Sequence, residues 1–297
     1  MTLPPILPVG TSIITRLALP KQPSGAVAVI IRSPVDPDHA YRVRFPDGFE
    51  ATLPRSAMTV RRQDKNSLPS AERDFTPYIQ LRCVAGSRAF GLATEDSDTD
   101  LRGFYLPPAC DEWSLGGVPE QLEFGEEVYW EARKFVLLAL KANPNILEVL
   151  DSPLIQDATP MAAELLAIRR AFLSRLVYQT YNGYVMGQFK RLEADVRQHA
   201  DDFPTRRWKH AMHLLRLLLS GTALLHSGDM LVDVGTHRDQ LLAVKRGQVS
   251  WADMERWRLS LHADFDRAYQ HTTLPERPDY AQVEAWLLRA RRSALEW

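Results

Sequence analysis

Apolar and polar positions alternate over short runs at the start of the chain. Thr11–Leu17, Ala26–Arg32, Ala40–Phe45 and Glu50–Leu53 read as brief strands, separated by turn chemistry that includes PSG at Pro23–Gly25 and PDG at Pro46–Gly48. Several short strands with little helix predict a small β-barrel over residues 1–65, a recognition module rather than a catalyst. The polar stretch Gln63–Glu72, with its single proline, reads as a linker.

From Pro77 the period changes. YIQLRCVAG is apolar and extended, DTDLRGFYL is a second strand ending at Pro107-Pro108, and Glu126–Trp130 is a third extended stretch. The third runs into EARKFVLLALKANPNILEVL, a helical pattern in which Asn143-Pro144 starts a second helix. Beyond Ser152, apolar residues recur at three- and four-residue spacing to the end, and Ser250 and Asp279 sit where N-caps belong. The expected fold class is therefore α+β: a β-barrel module (1–65), an αβ unit of mixed sheet and flanking helices (73–153), and a helical domain (154–297).

Composition narrows the function. The 297 residues are 45% hydrophobic and 25% charged, with no run of ~20 apolar residues to span a bilayer. The opening MTLPPILPVG lacks the basic and apolar regions of a secretory leader. Two cysteines, Cys83 and Cys110, match neither a disulfide framework nor a metal spacing, and the expected compartment is the cytoplasm. A net charge of −1 gives no global nucleic-acid footprint. Lys and Arg nevertheless outnumber acids over residues 1–65, with Arg42, Arg44, Arg55, Arg61 and Arg62 among them, a balance that suits a polyanion or a solvated strand surface.

The chemistry concentrates in GSRAFGLATEDSDTDLRG, Gly86–Gly103. A Gly-Ser pair after a buried strand and before a short helix offers backbone N–H groups and a hydroxyl to an anion, phosphate above all. Gly86 and Gly91 have the GxxxxG spacing of a Walker A loop but are followed by Leu92-Ala93 instead of Lys and Ser/Thr. Asp98 and Asp100, two apart on an expected strand, leave the same face and can share a hard cation such as Mg²⁺ or Mn²⁺. A calcium loop opening at Asp96 fails, because Leu101 and Pro107 stand where Gly and Glu are required.

Together the two halves make GSx10DxD, which resembles the signature of the DNA polymerase beta-like nucleotidyltransferase superfamily. The segments Arg133–Pro153 and Lys209–Leu231 resemble the branch of predicted nucleotidyltransferases associated with bacterial and phage RNA repair. The length and turn placement of residues 1–65, outside that resemblance, resemble an SH3-like barrel. The superfamily resemblance implies a polymerase-beta-like palm in which Gly86, Ser87 and neighbouring amides hold the phosphates of an NTP, and Asp98 and Asp100 ligate two Mg²⁺ (or Mn²⁺) ions. It implies a third carboxylate on a neighbouring strand. Glu126, Glu127 and Glu131 are the candidates, and alternation favours Glu127, then Glu131, with Glu127 as the third metal ligand.

Lys209, His213, Arg216 and Ser220 form a polar stripe on an otherwise apolar helix, which suits an anion, a cleft or solvent; the resemblance, in which the helical domain closes over the nucleotide, implies that Lys209, His213 and Arg216 contact it. Arg88 and Arg102, flanking the motif, and Arg133, Lys134, Lys141 and Asn143 are further phosphate candidates or surface ion pairs. A metal site of His210 and His213 has no further ligand near in sequence. The activity implied is Mg²⁺-dependent transfer of a nucleoside monophosphate from an NTP to an RNA end in repair or processing, with the barrel holding the acceptor or an RNA-repair protein partner. Transfer to a protein or small-molecule hydroxyl, or a silent nucleotide- or RNA-binding module, are the alternatives.

Overall fold

A computed structural model describes residues 6–20, 22–34, 36, 39–60, 73–95, 97–198 and 205–297. The chain divides into two compact units, Met1–Ser70 and Ala71–Trp297. The expected linker Gln63–Glu72 lies outside the described residues, as do Arg61, Arg62 and Asp96.

The first unit is a five-stranded antiparallel sheet of β1 (Ser12–Thr15), β2 (Val27–Arg32), β3 (Tyr41–Arg44), β4 (Glu50–Leu53) and β5 (Met58–Val60), in the order β4-β3-β2-β1-β5. Its inward positions alternate as strands require, and Ile13, Ala28, Ile30, Tyr41, Val43 and Met58 form a separate small core. The strands expected for the small barrel are present, and among the described residues the sheet they form does not close. Pro54, which has no N–H to give, and a 3-10 turn at Arg55–Ala57 lead the chain off β4 and deliver β5 to β1, so β4 and β5 remain edges of an open sheet. Part of the basic surplus is also neutralised at home: Arg42 and Arg44 both pair with Glu50, at 2.9 and 2.7 Å.

The second unit holds a mixed sheet of β6 (Ile79–Ala85), β7 (Asp100–Tyr105), β8 (Gln121–Phe124), β9 (Glu127–Glu131) and β10 (Ile155–Ala158), in the order β10-β6-β7-β9-β8. Among the described residues only β7 and β9 run parallel, and the other pairs are antiparallel. Short helices α1 (Gly86–Ala89) and α2 (Ala109–Glu112) sit in the connections. Helix α3 (Ala132–Ala139) is N-capped by Glu131, and α4 (Pro144–Leu150) by Asn143 with Pro144 at the first helical position. The helical remainder comprises α5 (Pro160–Ala167), α6 (Leu176–Gln198), α7 (Thr205–Ser227), α8 (Arg238–Lys245), α9 (Trp251–His271) and α10 (Tyr280–Ser293). Ser250 and Asp279 cap α9 and α10 by accepting from Asp253 N and Gln282 N.

The two faces of this sheet differ. Register puts Cys83 opposite Arg102 and Ala85 opposite Asp100, so Asp100, Arg102 and Phe104 share one face. Phe104 packs there on Phe135 of α3, 5.2 Å between ring centroids, and edge-on against Trp286 of α10 at 5.8 Å. The other face carries Gly103, Tyr105, Glu127 and Tyr129 over a small cluster with Phe75 and Leu122. One continuous core joins the helix-bearing face to α3 through α10. Among the described residues no helix is long and apolar enough to cross a membrane.

Candidate functional site

The Gly-Ser turn begins where β6 ends. Gly86 takes φ +65°, a left-handed conformation that a side chain resists, and a Cβ there would overlap Asp100 Oδ2. The glycine is thus the seat of the carboxylate as well as the pivot of the turn. Arg102 Nη2 donates to Asp100 Oδ1 at 3.0 Å, fixing the other oxygen. Strand β7 starts at Asp100, so Asp98 stands on the approach loop and not on the strand itself. That loop is stapled by Arg88, whose Nε and Nη2 donate to the carbonyls of Asp98 (3.3 Å) and Ser97 (2.8 Å).

Gly86, Ser87, Asp98 and Asp100 line one wall of a cavity of about 910 Å³, at the upper end of the range of small-molecule sites. Further lining comes from the helices: Gln188 and Arg191 of α6, Arg207, Lys209, His210, His213 and Arg216 of α7, and Lys245 of α8. Carboxylates and helical cations therefore line one cavity. Burial, with Lys209 and Arg246 next in weight, holds the Lys245 ammonium below the ordinary lysine range. An anion placed among these groups would relieve that strain.

Arg216 and His213 occupy the back of the cavity. Arg216 is 1% exposed; its Nη1 donates to Glu148 Oε1 of α4 at 2.7 Å, and its guanidinium lies 3.6 Å over the Phe90 ring. Glu148 is itself buried, which pushes its carboxyl up while Arg216 pulls it down. Arg216 nevertheless lines the cavity: Nη1 serves Glu148, and its Nε has no partner among the described residues. Arg216 Nη2 also lies 3.3 Å from His213 Nδ1. As the guanidinium can only donate, His213 carries its proton on Nε2. Burial, then the charge of Arg216, pushes the His213 pKa down to about 3, so it is a neutral donor. Ser220, the last member of the expected stripe, donates to Leu231 O.

The turn is braced from the helical side. Val234 N–H donates to Phe90 O at 3.1 Å, and Arg238 Nε to Gly91 O at 2.8 Å. Gly91, at φ +69°, would put a Cβ 2.7 Å from Asp233 Oδ1.

The expected third carboxylates lie elsewhere. Leu101 pairs with Glu127 across the parallel ladder, which turns Glu127 to the face away from Asp100, where Tyr129 Oη donates to it. Glu131 is spent on the N-cap of α3 and an ion pair with Arg291 Nη2 at 2.6 Å. The structure brings neither to the cavity. Glu126 is exposed in the turn that opens β9 and is absent from the cavity lining; its carbonyl accepts from Leu101 N and Arg102 Nη1. Among the described residues no group of three or more His, Cys, Asp or Glu is placed to hold a metal. Of the other phosphate candidates, Lys134 pairs with Glu120 at 3.2 Å, Asn143 caps α4, and Arg133 and Lys141 are exposed.

Sequence reasoning missed Phe90, Glu148, Gln188, Arg191, Arg207 and Lys245. Arg191 and Lys245 are remote from the motif and carry no local signal; Glu148 lies within the segment NPNILEVL that marks the resemblance.

A strand, a glycine turn and a second strand bring Asp100 against Gly86, and helical cations line the same cavity. The chain belongs to the RNA repair pathway DNA polymerase beta family, whose model matches residues 60–289. It is similar to the uncharacterised protein YcgL of Bacillus subtilis (strain 168), 31% identical over 112 residues, which is 35% of this chain and 42% of that protein. The chain thus spans less than half the length of this curated relative.

Proposed function

We propose that the protein is a cytoplasmic enzyme that transfers a nucleoside monophosphate from an NTP to a hydroxyl at an RNA end and releases pyrophosphate. The observation that carries this reading is the shared cavity, lined by Asp98 and Asp100 together with Arg191, Arg207, Lys209 and Lys245. A triphosphate needs cations along its anionic oxygens, and its metal needs carboxylates at the reacting end.

In this reading residues 73–153 supply the carboxylates, residues 154–297 the cations, and the amino-terminal sheet is accessory. Ser87 and the amides of its turn hold phosphate oxygens. Lys209 and Lys245 neutralise charge on the triphosphate, and His213 donates from Nε2. Arg88 keeps Asp98 in place through the loop carbonyls. Asp98 and Asp100 would hold Mg²⁺ or Mn²⁺, with Glu126, the acid that precedes the ladder, as the third carboxylate. The donor set fits, because Mg²⁺ uses one or two protein carboxylates together with substrate phosphates. When bound, such ions supply activation of the attacking hydroxyl and charge compensation at the leaving pyrophosphate. The hydroxyl oxygen gives its proton to water and bonds to the α-phosphorus as the bond from the α-phosphorus to the bridging oxygen breaks and pyrophosphate leaves, and the protein contributes position and charge.

The test is incubation with α-labelled NTPs, Mg²⁺ and mixed RNA. Label should pass to RNA and disappear in Asp98→Asn and Asp100→Asn. Label on protein, on a small hydroxyl compound, or nowhere would refute the RNA-end assignment.

A further inference from the structure

Helix α6 presents an outward row that the transfer reaction has not accounted for. Thr180, Gly183, Tyr184, Gly187, Gln188 and Arg191 follow at helical spacing along one side, next to the buried row of Val177, Tyr181, Val185 and Phe189. The two glycines sit inside a helix, where each costs stability relative to alanine. Neither has a packing reason, since a Cβ at Gly183 or Gly187 would meet nothing within 4 Å. Between them Tyr184 is 42% exposed, and its ring stands edge-on to His213, 6.4 Å between centroids.

The row has a direction. At its start Thr180 Oγ1 donates to Lys141 O at 3.0 Å, and at its end Gln188 and Arg191 enter the cavity wall. Lys141, Lys190 and Arg191 are exposed and form no ion pair among the described residues. In the same cavity the buried Arg216 Nε is a donor without a partner among the described residues. An exposed aromatic face, open helix backbone and uncompensated cations leading to a site are what a single strand of nucleic acid engages. Bases stack on the ring and phosphates follow the charges.

Resting on the transfer reading above, we propose that the outward row of α6 is the acceptor track. A single-stranded RNA end runs from Lys141 past Tyr184 toward Asp98 and Asp100, stacks a base on Tyr184, and brings its backbone against Gly183 and Gly187.

The test uses the full chain and a fluorescein-labelled single-stranded oligoribonucleotide, followed by anisotropy, with binding of a non-hydrolysable NTP measured separately. Tyr184→Ala should raise the oligonucleotide Kd roughly tenfold, while Tyr184→Trp retains binding. Gly187→Ala should raise Tm yet weaken the oligonucleotide, a combination that a purely structural glycine would not give. Lys141→Glu with Lys190→Glu should flatten the salt dependence. NTP affinity should stay unchanged in all of them. Wild-type oligonucleotide affinity in Tyr184→Ala and Gly187→Ala, with RNA still labelled, overturns the track and leaves the transfer reading standing. Parallel loss of NTP binding overturns it as well, by making Tyr184 part of the nucleotide pocket. A wild-type protein that labels something other than RNA overturns both.

Discussion

The carboxylate of Asp100 occupies the space that a side chain on Gly86 would need. The turn and the first residue of β7 are therefore built as one part: the backbone that would cradle phosphate sets the height of the carboxylate that would face it.

Gly86→Ala should separate activity from folding. The left-handed φ costs roughly 1–2 kcal/mol for an alanine, which a domain of this size survives, but Asp100 must move. Transfer should fall at least about 100-fold with the protein still folded, since small misplacements at the reacting centre are that expensive. Circular dichroism and a label-transfer assay on one preparation test this, and near-normal transfer would contradict the shared-seat geometry.

Glu148 and Arg216 should be coupled in stability. Removing either partner leaves a buried unpaired charge at a cost of about 3–5 kcal/mol, whereas Glu148→Leu with Arg216→Met should recover much of it. Urea titrations of the two single variants and the double variant measure the coupling. Additive losses would mean that the pair contributes no interaction of its own.

Glu126→Gln should abolish transfer, and Glu127→Gln should leave it within a few-fold of wild type. The basis is the parallel register, which pairs Glu127 with Leu101 on the face away from Asp100 and leaves Glu126 as the acid that precedes the ladder. Steady-state kinetics at saturating Mg²⁺ decide between them; the reverse ranking would mean that β9 shifts register when substrate binds.

His213 should make the fold sensitive to mild acid. Its pKa is held down to about 3 in the folded chain against an ordinary 6.5, so between these values the unfolded state takes up a proton that the folded state refuses. Stability from this group is complete above about pH 6.5 and is lost as pH falls toward 3, by about 1.4 kcal/mol per pH unit. Wild type should lose roughly 2 kcal/mol more than His213→Gln between pH 7 and pH 5. Equal losses in denaturant melts would contradict a neutral, buried His213.

What was legible in the sequence was what neighbouring residues encode together. The glycine turn and Asp100 are joined by a single strand connection, so spacing alone relates them. Asn143-Pro144, Ser250 and Asp279 announce helix starts by local chemistry. Strand β10, IQDA, is exposed throughout and shows no inward period; β8 has four residues. The face taken by Glu127 depended on the phase of β9, and that phase is set by the tight turn at Gly125–Glu126 and by pairing with β7, neither of which alternation reveals. Closure of the first sheet likewise depends on edges that individual strands do not specify. Arg191 and Lys245 join the site through helix packing, a relation between distant segments.

The single core running from the sheet through α10 has a thermodynamic corollary. The wall bearing Asp100 and the wall bearing Lys209 are not two bodies on a hinge; parting them would expose the Glu148 and Arg216 charges together with packed apolar surface. Residues 73–297 should therefore melt in one calorimetric transition. The gap between the walls is set when the chain folds, before any substrate arrives.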